Sequence, residues 1–272
     1  MNKVMIGLLA ETPIHPGTGR SVGVVDLPVA RESATDYPVL VSSSLKGALK
    51  DRAKTKGAGE IDRRFGVEDA AGDLLVSDGR LLLLPVRNLT GSYRWATCPH
   101  LIERYCRDLA RAGLGPIPPV PKVERGKVLT SAEGDLFLEE RQFSVAGPPD
   151  KALVEAMGAL LLHDSCHERV GEQLAVLNDD DFAWFVRYGL SVQARNVLEE
   201  ETKKSKNLWY EETLPPDTVM YALLIGRMAE SLSVLDQLFP AEDPYCQTGG
   251  NETVGQGWFA VKVRRTAEGG DQ

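Results

Sequence analysis

Long apolar runs and amphipathic segments alternate along the chain. Residues 3–12 are almost continuously apolar and predict a buried strand. The segment 42–57, SSSLKGALKDRAKTKG, places its apolar residues on one face and predicts a helix that serines cap and Gly57 ends. Residues 97–113 repeat this amphipathic pattern and predict a second helix. A final apolar run at 257–265 predicts the closing strand.

Turn signals between these elements predict the fold class. A hairpin is predicted at 74–86, where Asp-Gly supplies the turn, and another at 128–145. Two further strands flank a Pro-Pro turn within 207–228. Hairpins are too frequent for a doubly wound parallel sheet, and the strand–helix–hairpin opening with a helix–strand close favours an α+β, ferredoxin-like sheet with insertions.

The composition is that of a globular protein, since 43% of the 272 residues are hydrophobic and 26% are charged. No apolar run reaches the length of a membrane span, and the N-terminus lacks a signal-peptide pattern. The four cysteines form no CxxC pair and are too sparse for a disulfide scaffold. We therefore expect a protein of the reducing cytoplasm without a membrane partner.

The net charge of −8 argues mildly against a nucleic-acid partner, but a whole-chain sum can conceal a local basic surface. Residues 46–64 contain seven basic and three acidic residues, so this window is positive within an acidic protein. It is either a solvated helix face or a surface for phosphates.

The glycine-rich segment HPGTGRSVGVVDLPVARE, residues 15–32, follows the first strand. Its spacing fits neither the dinucleotide fingerprint nor the P-loop, so we reject both nucleotide-binding interpretations. His15 and Asp26 are isolated polar residues in it. They could act in phosphodiester cleavage as a general base or a metal ligand, or they could simply be loop polarity.

Two other segments could bind phosphates. The serines and lysine of SSSLKG, residues 42–47, stand at a predicted helix N-terminus, where free N–H groups and the helix dipole attract anions, although plain capping explains them too. GGNETVGQGWF, residues 249–259, offers four glycines and a row of N–H groups that could hold a phosphodiester chain, or it is a surface turn.

The sequence HDSCH places His163 and His167 one helical turn apart. This spacing is compatible with zinc, but no second ligand pair stands out, and a helix end with a capping histidine is the alternative interpretation.

The order of these motifs along the chain is similar to that of a known protein family. The opening loop is followed by YPVLVSSSLKGALKD at 37–51, then by NLWYEETLPPDT at 207–218, and last by the glycine segment at 249–259. This arrangement resembles the RAMP superfamily of CRISPR proteins, and within it the repeated backbone subunits of type III-B (Cmr) RNA-guided effector complexes. The resemblance spans residues 1–263, while about 65–180 matches only in general character.

The resemblance implies a single RAMP domain over 1–272, with an RRM-like palm, insertions at about 65–180 and a projecting thumb hairpin at about 199–220. It implies that copies of the chain stack along a CRISPR RNA together with the other subunits of the Cmr complex. Each thumb would interrupt the guide–target duplex, and complementary target RNA would be cleaved near each interruption.

The resemblance also assigns roles to residues. Asp26 would be the catalytic aspartate and the ligand of a divalent metal, Mg or Mn; His15 would participate, and Glu211 or Glu212 would be a second acidic group. The RNA-binding residues implied in the same way are Arg20, Ser43, Ser44, Lys46, Lys50, Gly249, Gly250, Gly255 and Gly257.

Two alternatives to a cleaving backbone subunit stay open. The chain could be a non-catalytic RNA-binding scaffold of the filament, in which Asp26 is idle. It could also be a nuclease that processes the CRISPR transcript without metal, with His15 as its general base.

Overall fold

The computed structural model describes residues 2–19 and 23–266, and within them the chain is a mixed α+β fold, as the sequence predicts. Twelve of the described strands form one sheet, and the other two form a separate hairpin. The strands are β1 Asn2–Ala10, β2 Val39–Leu40, β3 Leu74–Val76, β4 Gly79–Arg87, β5 Tyr93–Thr97, β6 Lys127–Leu129, β7 Asp135–Leu138, β8 Arg141–Gly147, β9 Leu174–Leu177, β10 Ser191–Leu198, β11 Ser205–Thr213, β12 Val219–Gly226, β13 Tyr245–Gln247 and β14 Trp258–Arg264.

Helices cover both faces of the sheet. The described helices are α1 Ser42–Thr55, α2 Ile61–Phe65, α3 Pro99–Ala112, α4 Lys151–Gly158, α5 Asp164–Gln173, α6 Asp179–Tyr188 and α7 Val234–Leu238.

The first strand, β1, lies inside the sheet, third from its β13 edge, and confirms the predicted buried strand. It pairs antiparallel with β12 on one side and with β14 on the other. Because side chains alternate along a strand, Ile6 and Leu8 enter one hydrophobic core while Met5 and Leu9 enter another. The sheet thus separates two cores, one covered by α1, α2, α6 and α7 and the other mainly by α3, α4 and α5.

Four neighbouring strands, β14, β1, β12 and β4, are all paired antiparallel. In chain order, α1 separates β1 from β4 and α7 separates β12 from β14. The central connectivity is therefore strand–helix–strand–strand–helix–strand. The rest of the sheet continues from β4 through β5, β9, β6 and β8 to β7.

The predicted hairpin at 74–86 is wrong. β3 and β4 do not reverse at Asp78-Gly79 but both pair antiparallel with β12, one after the other. The Oγ of Ser77 accepts a hydrogen bond from Leu223 N at 2.9 Å, so hydrogen bonding to β12 continues between β3 and β4. A Cβ on Gly79 would meet Leu40, so this glycine permits close approach of β2 rather than a turn.

The start of α1 also differs from the sequence prediction. No serine side chain caps this helix, and its N-cap residue is Val41. Instead, the carboxylate of Asp78 accepts a hydrogen bond from Ser42 N at 2.7 Å. A carboxylate at this position satisfies a free N–H group and interacts favourably with the helix dipole. The hydroxyls of Ser43 and Ser44 are left exposed to solvent.

A two-stranded hairpin, β10–β11, stands apart from the sheet. It begins and ends earlier than the predicted hairpin at 199–220, because β11 pairs backward with β10 and not forward across Pro215 with β12. Much of the hairpin is exposed, including the apolar side chains of Leu198, Leu208 and Tyr210.

All four cysteines are buried free thiols. Across residues 2–19 and 23–266, every helix is too short or too polar to cross a lipid bilayer.

Candidate functional site

The opening loop docks onto strand β11 of the hairpin. Leu27 forms a parallel bridge with Glu211, in which Leu27 N donates to the carbonyl oxygen of Tyr210 at 3.0 Å. Glu212 N donates to the carbonyl oxygen of Leu27 at 2.9 Å. These bonds use the edge of β11 that does not face β10, and they bring Asp26 to the base of the hairpin.

Asp26 lies half-buried in this contact. Its Oδ2 accepts a hydrogen bond from Tyr210 N at 2.8 Å. Asp26 borders a cavity of about 260 Å³ between the loop and the hairpin. The other residues that line the cavity are Leu27, Asn207, Leu208, Trp209, Glu211 and Asn251.

Glu211 is the second carboxylate of this cavity. The residue is only 1% exposed, and Asn251 donates its side-chain amide to Oε1. The guanidinium of Arg195 on β10 lies 3.8 Å from the other carboxylate oxygen. A buried carboxylate needs such partners, and through them Glu211 links the hairpin to the glycine segment.

Glu212 faces away from the cavity, because successive side chains of a strand point in opposite directions. Its carboxylate accepts Val29 N at 3.0 Å and forms an ion pair of 2.8 Å with Arg31. The structure therefore places Glu211 beside Asp26, whereas Glu212 contacts the loop behind it.

His15 is buried beneath the glycine segment. Its Nδ1 lies 2.8 Å from the carbonyl oxygen of Glu212 and must carry the proton, since a carbonyl only accepts. A Cβ on Gly17 or Gly250 would contact the imidazole ring. His15 is 6% exposed, and these contacts make it part of the loop's packing.

Three of the four glycine N–H groups in the 249–259 segment bind acceptors within the protein. Gly250 N donates to the carbonyl oxygen of His15, Gly255 N to Glu252, and Gly257 N to Pro13. The segment therefore does not offer the predicted row of N–H groups to a phosphodiester chain. Gly249 nonetheless lines a cavity with part of α1.

This cavity, of about 600 Å³, lies along α1 from Ser43 to Thr55, opposite residues 247–258. It brings Ser43, Ser44 and Gly249 together, as expected for a shared binding surface. The opposite wall includes Trp258, whose side chain remains 37% exposed.

Lys46 projects to the other side of α1, into a cavity of about 450 Å³ that also includes Ser43 and Arg227. Lys50 is held elsewhere, because its Nζ donates to Gly66 O at 2.6 Å and lies 3.6 Å from Asp62.

The basic window at 46–64 is largely neutralised by acidic neighbours. Five of its seven basic residues form ion pairs, and within the described ranges only Lys46 and Lys54 form none. Any basic track for RNA along α1 is therefore narrow. Arg20, the other predicted RNA-binding cation, lies outside the described residues.

The two histidines of HDSCH have separate environments. His163 is the N-cap residue of α5, and its Nε2 lies 2.8 Å from Glu11 Oε1. His167 packs against Gly158. In the described part of the chain, no three His, Cys, Asp or Glu side chains are grouped so that they could hold a metal ion.

Three residues of the site were not found from the sequence. Arg195 contacts Glu211 from a segment with no motif of its own, whereas Asn251 lies in the 249–259 segment, where only the glycines suggested a binding role. The sequence places Trp258 in the closing strand, and its position at the end of the 249–259 segment is the one available signal for it.

With this geometry established, the comparison with known proteins assigns the family. The sequence model of the RAMP superfamily matches residues 8–260. This chain belongs to the RAMP superfamily. The predicted resemblance is thereby confirmed over nearly the full length of the described residues.

Other RAMP proteins are similar throughout. The CRISPR system Cmr endoribonuclease Cmr4 of Pyrococcus furiosus is 30% identical over 291 residues, which cover 99% of this chain and 98% of the relative. The crystal structure of oligomeric Cmr4 from Pyrococcus furiosus matches with a TM-score of 0.78 at 26% identity, covering 98% of this chain and all of that one. A chain of the type III-B Cmr-β complex bound to cognate target RNA shares the fold, with a TM-score of 0.77 at 20% identity and 97% coverage of each chain.

Proposed function

We propose that this RAMP protein is a repeated backbone subunit of a type III-B Cmr effector complex. It binds CRISPR RNA along a filament of its own copies, together with the other Cmr subunits, and cleaves complementary target RNA at regular intervals. Full-length similarity at 30% identity to a protein named as a Cmr endoribonuclease supports this function. Its four free thiols agree with a reducing cytoplasm as the place where it acts.

The observation that carries the cleavage activity is the position of Asp26. The loop places this carboxylate beside Glu211 in a cavity at the base of an exposed hairpin. An RNA strand that is bent at the hairpin would pass this cavity. A bend matters because the 2′-OH must be in line with the leaving oxygen, which regular A-form geometry does not permit.

We infer a ferredoxin-like palm and a thumb from the same topology. The connectivity of β1, α1, β4, β12, α7 and β14 supports the palm. The hairpin β10–β11 is the thumb, over 191–213, and the segments within about 65–180 extend the sheet through β5 to β7. The cavity between α1 and Trp258, with Ser43, Ser44 and Gly249, would hold the guide backbone.

A divalent ion fits Asp26 as a site with one protein carboxylate. Oδ2 is committed to Tyr210 N, which leaves Oδ1 as the hard oxygen ligand, while Glu211 is already balanced by Arg195. Mg²⁺ commonly binds one or two carboxylates and completes its shell with phosphate and water. When bound, the ion would supply charge neutralisation at the scissile phosphate.

The protein's own groups then have distinct parts. Asp26 orients toward the reacting phosphate through its bond to Tyr210 N, and Glu211 fixes the wall of the cavity. The metal-independent alternative, in which His15 is a general base, finds no support in a ring that is buried beneath the glycine segment.

The test is the variant Asp26→Asn in the reconstituted complex with Mg²⁺ or Mn²⁺ and complementary RNA. We expect loss of cleavage with intact assembly and RNA binding. Lys54→Gln, at an exposed position on α1 away from the cavity, is the control and should cleave normally. Unchanged cleavage by Asp26→Asn would instead favour the non-catalytic scaffold at this position.

A further inference from the structure

We propose that Glu212 is a positioning residue that fixes Asp26 in the cavity, a role that rests on the proposed cleavage at Asp26. Glu212 never touches the cavity itself. It acts by holding the opening loop against β11 from the opposite side of the strand.

Glu212 binds the loop at four places, one of which is the bond from its N–H to the carbonyl oxygen of Leu27 described above. Its carbonyl oxygen accepts Nδ1–H of His15 at 2.8 Å, at the start of the loop. Its carboxylate accepts Val29 N at 3.0 Å and pairs with Arg31 at 2.8 Å, near the end of the loop. One residue thus joins both ends of a segment whose middle carries Asp26.

The ion pair is anchored well enough to act as a clamp. The side chains of Arg31 and Glu212 are 18% and 9% exposed, so solvent screens the pair only partly. Arg31 also donates to the carbonyl oxygens of Asp36 at 2.9 Å and Val186 at 2.7 Å, which ties the loop to α6. Removing the carboxylate would leave the guanidinium and Val29 N without this acceptor.

The short path from the clamp to the cavity transmits the constraint. Only Leu27 and Pro28 separate Asp26 from Val29, and the proline ring restricts the backbone between them. Without the Glu212 carboxylate, Asp26 would be held by its bond to Tyr210 N and by the Leu27 bridge. Displacement of a catalytic group by about 1 Å can cost a hundredfold in rate.

The experiment compares Glu212→Gln with a matched control, Asp181→Asn. The substituted amide keeps an acceptor for Val29 N and removes the charge. Asp181 is also buried and likewise accepts hydrogen bonds from a backbone N–H, that of Gly126, and from an arginine, Arg141, but these partners lie far from the cavity residues along the chain. Both variants therefore disrupt a buried ion pair, but only Glu212→Gln alters a contact with the opening loop.

We expect Glu212→Gln to lower the single-turnover cleavage rate at saturating target RNA by about tenfold, with the Kd for target unchanged within about twofold. Asp181→Asn should cleave normally. The shape of the pH–rate profile should be unchanged, since no proton-transfer group is removed. Equal rates for Glu212→Gln and wild type, equal losses in both variants, or a lost limb of the profile would overturn the positioning role.

Hydrogen exchange supplies a readout that does not depend on cleavage. In Glu212→Gln, the amides of Leu27 and Val29 should exchange at least about tenfold faster than in wild type, because the loop opens more often. Unchanged protection contradicts the clamp. If Asp26→Asn cleaves like wild type, the proposed function fails; if Asp26→Asn is inactive and Glu212→Gln is normal, only the clamp fails.

Discussion

The backbone N–H of Tyr210 donates a hydrogen bond of 2.8 Å to Oδ2 of Asp26, which lies 184 positions earlier in the chain. The orientation of this carboxylate therefore depends on the backbone of β11 and not on the side chain at position 210. Tyr210 lies opposite Ala194 in the β10–β11 register, but its carbonyl oxygen accepts Leu27 N, so its N–H and its carbonyl both bind the opening loop.

This bond predicts the effect of Tyr210→Pro. Proline removes the donor to Asp26 but leaves the β10–β11 ladder, because the N–H of residue 210 does not point toward β10. We expect about a tenfold lower cleavage rate with the hairpin intact by circular dichroism. Tyr210→Ala, which keeps the N–H, is the control and should retain Asp26 in place. Equal rates in both variants would show that the bond does not matter.

Lys46→Glu should weaken guide RNA binding for all sequences. A phosphate contact carries no sequence information, and its loss should lower the slope of log K against log salt by about 1. Lys54→Glu is matched to it, because Lys54 lies on the same helix and likewise forms no ion pair among the described residues. Filter binding at several salt concentrations distinguishes them, and a defect limited to certain guides would contradict the phosphate role.

The pair of Glu32 with Arg104 should make stability depend on pH. Burial raises the pKa of Glu32, but hydrogen bonds from Arg104 and Thr35 outweigh it, so the net pKa lies below 4.5. A carboxyl whose pKa is lowered by folding stabilises the protein above the unfolded pKa and loses this contribution as pH falls through the folded pKa.

Glu32→Gln should therefore lower the free energy of unfolding at pH 7 by about 1–2 kcal/mol, and the difference from wild type should shrink in acid. Urea unfolding of the wild type and the variant, at pH 7 and at acid pH, measures this difference in the free energy of unfolding. Glu103→Gln breaks the exposed pair with Arg107 on the same helix and should cost at most about 0.5 kcal/mol at either pH. A Glu32→Gln deficit that persists in acid would argue against the ionic origin.

Two glycines of the 249–259 segment should respond differently to alanine. Gly255 and Gly257 both have φ in the left-handed region, at 80° and 88°. A Cβ at 255 meets open space, whereas at 257 it would lie 2.5 Å from the carbonyl oxygen of Thr248. Gly255→Ala should cost about 1 kcal/mol and Gly257→Ala clearly more, as measured by urea unfolding.

Local pattern was sufficient for the central elements of the fold. The apolar run of β1, the amphipathic faces of α1 and α3, and the closing strand β14 all lie where the sequence predicts them. The turn predicted at Asp78-Gly79 does not form, and the cause lies in tertiary contacts. Whether such a dipeptide reverses the chain depends on its neighbours, and here Asp78 caps α1 while β12 is long enough to pair on both sides of the gap.

Only part of the candidate site could be predicted from the sequence. Motif order pointed to Asp26, and strand alternation implies that Glu211 and Glu212 face opposite ways. Which of them shares a cavity with Asp26 depends on how the loop docks, and no local pattern encodes that. Arg195 and Asn251 meet Glu211 only through long-range folding.

Because Glu211 and Glu212 face opposite ways, the β10–β11 hairpin can change length in evolution only where the register of these two residues is kept. The turn between β10 and β11, residues 199–204, touches neither carboxylate, so insertions or deletions there leave the site unaltered. An insertion of one residue between Glu212 and Leu214, whose bridge to Ile14 fixes the base of the strand, would instead turn Glu212 toward the cavity and take its carboxylate away from Arg31. We therefore expect natural variation in the length of the hairpin to be confined to its tip.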